Sequence, residues 1–271
     1  MKPPPFEYVA VSTVAEAVAA LGEDAKVLAG GQSLMPLLNM RLARPALLVD
    51  VNGVPDLDSI EVDGVVRLGS LVRQSDALRS PELAAGAALL VEALGHVGHA
   101  ATRSRGTIGG SLAHADPAAE LPAVLLALDG EVVASSPRGE RSLNTAELFL
   151  GPFTTALEPD ELLTAVVFPR QGRRRFGFAE LSRRHGDFAL AGAAVLLEPA
   201  RIVLFGLGGA PERALEAERA LDGGAAAAEV AELATNGLEP VSDVHADGAY
   251  RRRAAAVLVR RAIEQTKGTG G

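Results

Sequence analysis

The chain contains no cysteine. That absence removes disulfides, a thiolate nucleophile and any cysteine-ligated iron–sulfur cluster or zinc site, so redox chemistry here has to use a bound organic cofactor. Aromatic residues make up only 4% of the 271 positions, which disfavours stacking of bases on the surface. The formal net charge of −8 is the opposite of a nucleic-acid binder's basic face. No run approaches the roughly 20 apolar residues of a membrane span, and MKPPPFEYVA lacks the apolar stretch of a signal peptide. A cytoplasmic location is the resulting expectation. Hydrolytic machinery is missing too, since no Ser/His/Asp order and no paired carboxylates stand out.

What the sequence has is glycine, 29 residues of it, and two of its clusters share a pattern. Ala29-Gly30-Gly31-Gln32-Ser33 and Thr107-Ile108-Gly109-Gly110-Ser111 each place paired glycines and a serine between an apolar run and a helix-like segment. That arrangement lets backbone N–H groups converge on an anion, because glycine keeps side chains out of the way and tolerates positive φ. With so many glycines, one pair alone reads as a turn. Two in the same half of the chain suggest one diphosphate held from both sides. No lysine follows Gly106 to Gly110, so a P-loop is excluded and the pattern points to dinucleotide binding without ATP chemistry.

In chain order, Thr13 and Glu16 make a capping box for a helix over 13–21, residues 26–29 form a buried strand, 34–41 a short helix and 46–51 a strand. Phe6 reads as an early core anchor. Strand 65–69, helix 75–79, a longer helix 81–94, a glycine–histidine linker over 95–101, helix 118–128 and strands 131–134 and 162–168 follow. The basic run RQGRRR, 170–175, is the clearest composition shift and divides the chain into domains at 1–172 and 173–271. Beyond it, strands 176–182, 188–197 and 201–205 form an antiparallel sheet, helices cover 211–221, 225–235 and 249–265, and the KGTGG tail frays. Gly206 to Pro211 imitates a dinucleotide fingerprint but puts proline at the third glycine, which favours a structural turn. His96 and His99 could share a helical face, yet their glycine and alanine neighbours offer no further ligands, and no metal site is expected. Glu120 is the carboxylate placed to accept hydrogen bonds from sugar or ribityl hydroxyls, and a solvated first-turn glutamate is the competing interpretation. The arginines at 170–175, 183–184 and 251–253 are either solvated or the rim of a docking surface.

AKVLAGGQSLMPLLNMRLARP and SRGTIGGSLAHADPAAELP, at this separation, closely resemble the FAD-binding medium subunit of the molybdenum hydroxylases, the xanthine dehydrogenase and carbon monoxide dehydrogenase family. The resemblance continues through LSRRHGDFALAGAAV and the segment 241–265, and covers essentially the whole chain. It implies an α+β chain: a PCMH-type, vanillyl-alcohol-oxidase-like FAD domain of two α/β subdomains, then a C-terminal domain with a three-stranded antiparallel sheet and helices. By position, Ala29, Gly30, Gly31, Gln32, Ser33, Thr107, Ile108, Gly109, Gly110 and Ser111 hold the FAD diphosphate. Lys26, Val27, Leu28 and Leu34 line the first segment, and His114 and Glu120 meet the cofactor beyond the second. Phe188 falls where carbon monoxide dehydrogenase relatives place a tyrosine against the flavin. No catalytic residue is expected on this chain. Molybdopterin and [2Fe-2S] clusters belong on partner subunits, a molybdopterin large subunit and an iron–sulfur small subunit assembled as a dimer of heterotrimers, with a quinone or NAD as acceptor.

Departures from the family pattern mark where support differs. Ala101, Thr102 and Ser104 occupy the Gln, Ile and Asn positions of H-x-Q-I-R-N-R-G-T, while Arg103 and Arg105 survive, so the segment forms with altered hydrogen bonds. Phe188 lacks the tyrosine hydroxyl and keeps the stacking face. Relatives often carry a lysine near Glu180. Two alternatives stand beside the electron-transfer subunit: a self-contained flavin oxidase or reductase, and a non-catalytic nucleotide-binding assembly module.

Overall fold

The computed structural model describes residues 2–269. Its first layer contains β1 (Glu7–Ala10), α1 (Val14–Ala20), β2 (Ala25–Leu28), α2 (Leu34–Asn39) and β3 (Leu47–Asp50). The three strands form a parallel sheet in the order β1-β3-β2. Leu48 and Val49 are buried on the central strand, whereas β2 is half-buried. Thr13 caps α1, its hydroxyl accepting from the Glu16 N–H at 3.1 Å, and the Glu16 carboxylate closes back on the Ser12 N–H at 2.8 Å. Phe6 is only half-buried, so the early core anchor is Val11 instead.

The second layer runs β4 (Ile60–Asp63), β5 (Val65–Gly69), α3 (Gln74–Arg79), α4 (Pro81–Gly86), α5 (Ala88–His96), α6 (Ala100–Arg103), α7 (Ile108–His114), α8 (Glu120–Ala127), β6 (Glu131–Ser136), β7 (Gly139–Asn144), α9 (Thr145–Leu148), β8 (Phe149–Gly151), β9 (Thr154–Thr155) and β10 (Leu162–Pro169). Its main sheet is antiparallel, ordered β4-β5-β10-β6-β7, and β8 with β9 makes a small hairpin. The single helix expected over 81–94 is two helices. Ala87 leaves helical geometry at φ −151°, and Gln171, from the far end of the layer, accepts the Leu89 N–H at 2.9 Å while its own N–H donates to the Gly86 carbonyl at 2.8 Å. A distant residue thus ends one helix through its backbone N–H and caps the next through its side chain.

The last part holds β11 (Phe176–Ser182), β12 (Ala189–Leu196), β13 (Arg201–Phe205), β14 (Glu212–Arg213), α10 (Leu215–Asp222), α11 (Ala227–Thr235) and α12 (Gly248–Gln265). Its antiparallel sheet has the three expected strands plus the two-residue β14 at the edge. The tail is pinned as far as Thr269, whose hydroxyl bonds both backbone groups of Phe176, and Gly270 and Gly271 lie outside the described residues.

One apolar cluster joins the halves. Leu121 to Leu128 pack with Leu89 and Leu94 on one side and with Phe178, Leu196, Val203 and Phe205 on the other. Every residue of α8 is buried, so this helix is a shared wall between the second and third layers. Among the described residues no helix is long and apolar enough to cross a membrane.

Candidate functional site

β2 ends at Leu28 and the chain turns through Gly30 and Gly31 into α2, with Gly31 at φ +72°. Among the described residues, the backbone N–H groups of Gly30, Gly31, Gln32, Ser33 and Leu34 have no protein acceptor. Unpaired N–H groups at a helix entrance form an anion cradle. Ser33 leaves its hydroxyl free because it makes no side-chain cap bond.

The second glycine segment faces the first but is built differently. A β-carbon on Gly30 would overlap the Arg105 carbonyl oxygen and approach Gly106 Cα within 2.9 Å, and one on Gly110 would reach the Ala29 Cβ at 4.0 Å. The two segments are therefore in direct backbone contact. The expectation of a second open loop is corrected, because Thr107 caps α7 and the paired glycines occupy the first helical turn. The Gly110 N–H donates to the Thr107 hydroxyl at 3.0 Å, Ser111 N–H to the Thr107 carbonyl at 3.2 Å, Gly109 N–H to the Ser70 carbonyl at 2.9 Å, and Ile108 N–H to the Val72 carbonyl at 3.0 Å. What this wall offers an anion is the Thr107 N–H, which has no acceptor among the described residues, and the unbonded Ser111 hydroxyl. Gly109 is required by packing, since a β-carbon there would meet Ser70 Cα at 2.8 Å.

The altered approach to this wall is self-sufficient. Arg103 donates to the Val97 and Gly98 carbonyls at 2.7 and 3.0 Å, and Gly106 N–H donates to the Thr102 carbonyl at 2.7 Å. His96 and His99 do not share a helix, since His96 closes α5 and His99 caps α6. Beyond α7, His114 packs its ring on Phe153 with centroids 5.1 Å apart, and burial pushes its pKa down, so the imidazole is held neutral. Ala115 accepts from the Phe153 N–H, and Pro117 accepts from the Gly206 N–H. The Gly206 turn is structural, as its pattern implied: Arg251, buried, donates to the Gly206 and Leu190 carbonyls at 2.9 and 2.7 Å. Of the arginine run at 251–253 only Arg252 and Arg253 are exposed.

Glu120 is not a solvated first-turn residue. It is 7% exposed, and burial raises its pKa to about 7. Glu180, on β11, has a side chain 3% exposed, with one carboxylate oxygen lacking any partner, and burial followed by repulsion from Glu120 raises its pKa to about 8. His96 stands 4.0 Å away but is itself pushed toward neutrality by burial, so it offers little compensating charge. The unfolded chain ionises both carboxyls near 4.5, whereas the folded chain keeps them protonated until about 7 and 8, so their effect on stability is a loss as pH rises across that window. Glu180→Gln is expected to raise the folding stability at pH 8 by about 2 kcal/mol once solvent screening is allowed for, and to change it little at pH 5. Thermal melts at the two pH values check this, and an equal shift at both would refute it.

Lys26 is exposed on β2, and Val27, Leu28, Ala29 and Leu34 are half-buried around the cradle. Phe188 stands immediately before β12, in the C-terminal part of the chain, and is 70% exposed. The sequence reading missed Asn52 and Arg73, which tie the two glycine segments together: Arg73 donates to the Arg105 carbonyl at 2.5 Å and to Asn52 Oδ1 at 2.7 Å, and Asn52 donates to the Ala29 carbonyl at 3.0 Å. Neither belongs to a glycine motif, and only the fold brings them together.

Known proteins resemble this chain over nearly its whole length. The profile of the FAD binding domain in molybdopterin dehydrogenase matches residues 4–171, and that of the CO dehydrogenase flavoprotein C-terminal domain matches residues 176–266. The chain is 42% identical to the 6-hydroxypseudooxynicotine dehydrogenase complex subunit alpha of Paenarthrobacter nicotinovorans, covering 97% of this chain and 95% of that one. Among solved structures, carbon monoxide dehydrogenase from Hydrogenophaga pseudoflava superposes with a TM-score of 0.96 at 36% identity, and quinoline 2-oxidoreductase from Pseudomonas putida 86 with 0.94 at 36%, each covering 100% of both chains.

Proposed function

The chain belongs to the FAD-binding medium subunits of the molybdenum hydroxylases, and from that premise we propose that it is the electron-transfer subunit of a molybdenum-containing dehydrogenase. It receives electrons from iron–sulfur clusters on a partner chain and passes them to a quinone, NAD or another acceptor. The observation that carries this reading is the row of unpaired N–H groups from Gly30 to Leu34 beside the Thr107–Ser111 wall, two segments held so close that a β-carbon at Gly30 would strike the Arg105 carbonyl. FAD fits this cradle, because a diphosphate supplies the acceptors these donors lack.

When bound, FAD supplies two-electron chemistry together with single-electron exchange. The residues of this chain do the positioning. Gly30, Gly31, Gln32, Ser33 and Leu34 bind the diphosphate through backbone N–H groups, and Thr107 and Ser111 close it from the opposite wall. Lys26, Val27, Leu28 and Ala29 present the first segment, while Ile108, Gly109 and Gly110 let α7 start close to it. The His114 imidazole, kept neutral by burial, and the Glu120 carboxyl, only partly ionised near pH 7, would hydrogen-bond the remainder of the cofactor, and Phe188 would stack against the flavin. With no cysteine in the sequence, cysteine-ligated clusters lie on other chains.

The names of these relatives specify 6-hydroxypseudooxynicotine, carbon monoxide and quinoline, yet this chain aligns with the first over 95% of that subunit's length and superposes on the other two along the full length. Substrate choice therefore lies with the molybdopterin large subunit, and the iron–sulfur small subunit completes a heterotrimer that dimerises. The domains divide at the 170–175 segment, with 1–172 holding FAD and 173–271 presenting Phe188.

The test is to purify the chain alone and with its co-expressed partners, identify the cofactor by mass after acid release, and follow the visible spectrum on adding substrate. FAD release together with bleaching that requires the partners is the expected result. Bleaching by substrate with this chain alone would move the function to a self-contained flavoenzyme, and absence of flavin from both preparations would sink the proposal.

A further inference from the structure

The two walls of the cradle are joined by side chains that belong to neither. Arg73 follows β5 and caps α3 with its backbone extended, bridging to Thr107, so that Gln74 N–H donates to the Gly106 carbonyl and Ile108 N–H to the Val72 carbonyl. Its guanidinium then forks. One nitrogen donates to the Arg105 carbonyl at 2.5 Å, and another to Asn52 Oδ1 at 2.7 Å. Asn52 Nδ2 passes the link on to the Ala29 carbonyl at 3.0 Å and to Asp50 Oδ1 at 2.6 Å, and Tyr8 fixes Asp50 Oδ2 at 2.7 Å.

Both ends of this fork land where the walls come closest. The Arg105 carbonyl is the atom that a β-carbon on Gly30 would strike, and Ala29 immediately precedes Gly30. We infer that Arg73 and Asn52 form a latch that sets the separation of the two diphosphate-binding segments, making them positioning residues for FAD that act through the Ala29 and Arg105 carbonyls. The inference rests on the FAD reading and deepens it. A guanidinium is suited to the task because its planar fork meets two acceptors at once, which an ammonium cannot do in fixed geometry. The asparagine amide is equally directional, since Oδ1 must accept from Arg73 while Nδ2 donates to Ala29.

That polarity gives a sharp experiment. The full chain, freed of flavin, is titrated with FAD and with ADP, which shares the diphosphate. Arg73→Ala is expected to weaken both by about tenfold, because binding must then restore a wall separation that the latch had preset, while the flavin-free chain stays folded. Asn52→Asp keeps the partner of Arg73 but sets an oxygen against the Ala29 carbonyl, so it is expected to weaken both ligands by a similar factor. Arg73→Lys recovers part of the loss, and the double substitution Arg73→Ala with Asn52→Asp weakens binding by less than the product of the two. Affinities within twofold of the original in Arg73→Ala and Asn52→Asp would overturn the latch, as would a loss confined to FAD with ADP unaffected. Failure of the unsubstituted chain to bind either ligand would instead refute the FAD reading itself.

Discussion

Gly30→Ala should leave the chain folded and essentially without FAD, with affinity reduced by about 100-fold or more. The added carbon would overlap the Arg105 carbonyl oxygen, with Gly106 Cα at 2.9 Å and the Arg105 carbonyl carbon at 3.0 Å. None of these atoms can retreat cheaply. The Arg105 carbonyl is held by Arg73, the Gly106 N–H by the Thr102 carbonyl at 2.7 Å, and the Gly106 carbonyl by the Gln74 N–H at 2.9 Å. The first segment must therefore move away, carrying the Gly30 to Leu34 donors with it. Each hydrogen bond to a charged group contributes roughly 1.5–3 kcal/mol, so losing two costs at least about 3 kcal/mol, which is more than 100-fold in affinity. Gly31→Ala makes an instructive contrast. Its φ of +72° costs about 1 kcal/mol for a β-carbon, but its neighbours are the ends of Leu28 and Met35 side chains at 3.3 Å, which can give way. Equilibrium titration of the flavin-free chain measures both variants. A Gly30→Ala chain that retains the original flavin content and affinity would refute the cradle.

The contrast between neighbouring glycines also shows what the sequence could and could not carry. Gly-Gly after an apolar strand was enough to place an open turn with unpaired N–H groups at 30–31, because that geometry is local. The same signal at 109–110 was read as a loop, yet Thr107 turns it into the start of α7, and Ser70, from another strand end, decides that no side chain fits at 109. Strands β5, β11 and β13 were legible to the residue because apolar alternation between breakers needs no partner to be recognised. β7 was not, since GERSLN is mostly exposed and becomes a strand only by pairing with β6. β1, with EYVA largely exposed, exists through its parallel pairing with β3, 40 residues on from Glu7 to Leu47. Between the two interpretations of Glu120, a ligand-facing carboxylate and a solvated first-turn residue, the sequence could not decide, because glutamate at a helix start is usually solvated. Its burial follows from α8 being enclosed between two layers, a fact of tertiary arrangement that no local pattern contains.

The second large effect belongs to the C-terminal domain, where Gly177→Val should lower the unfolding midpoint by about 6–12 °C. Gly177 lies on β11 beneath the last turns of α12, and a β-carbon there would overlap the Ala262 carbonyl oxygen, with the Ala262 carbonyl carbon at 2.7 Å and its Cα at 3.0 Å. All three atoms are backbone of an 18-residue helix, so no rotamer change relieves the overlap. The helix must lift from the sheet. Lifting it separates Leu258, Val259, Ala262 and Ile263 from Ala191, Ala193 and Val195, with which they form an apolar cluster of their own between α12 and the sheet, and stretches the bond from the Phe178 N–H to the Gln265 side chain, now 2.8 Å. Overpacking of this kind costs typically 1–3 kcal/mol, and the lost burial takes it to about 3 kcal/mol, which corresponds to the stated shift for a chain of this size. Gly22→Ala, with no atom within 4 Å of the added carbon, is the matched control and should melt like the original. The displacement also travels. α12 carries Arg251, which anchors the Gly206 and Leu190 carbonyls, and Gly206 in turn bonds the Pro117 carbonyl between His114 and Glu120. A lifted α12 therefore disturbs both Phe188, at the head of β12, and the segment proposed to meet the flavin. Gly177→Val is expected to shift the visible bands of bound FAD as well as the melt, and a destabilised chain with an unchanged flavin spectrum would detach the C-terminal domain from the flavin site.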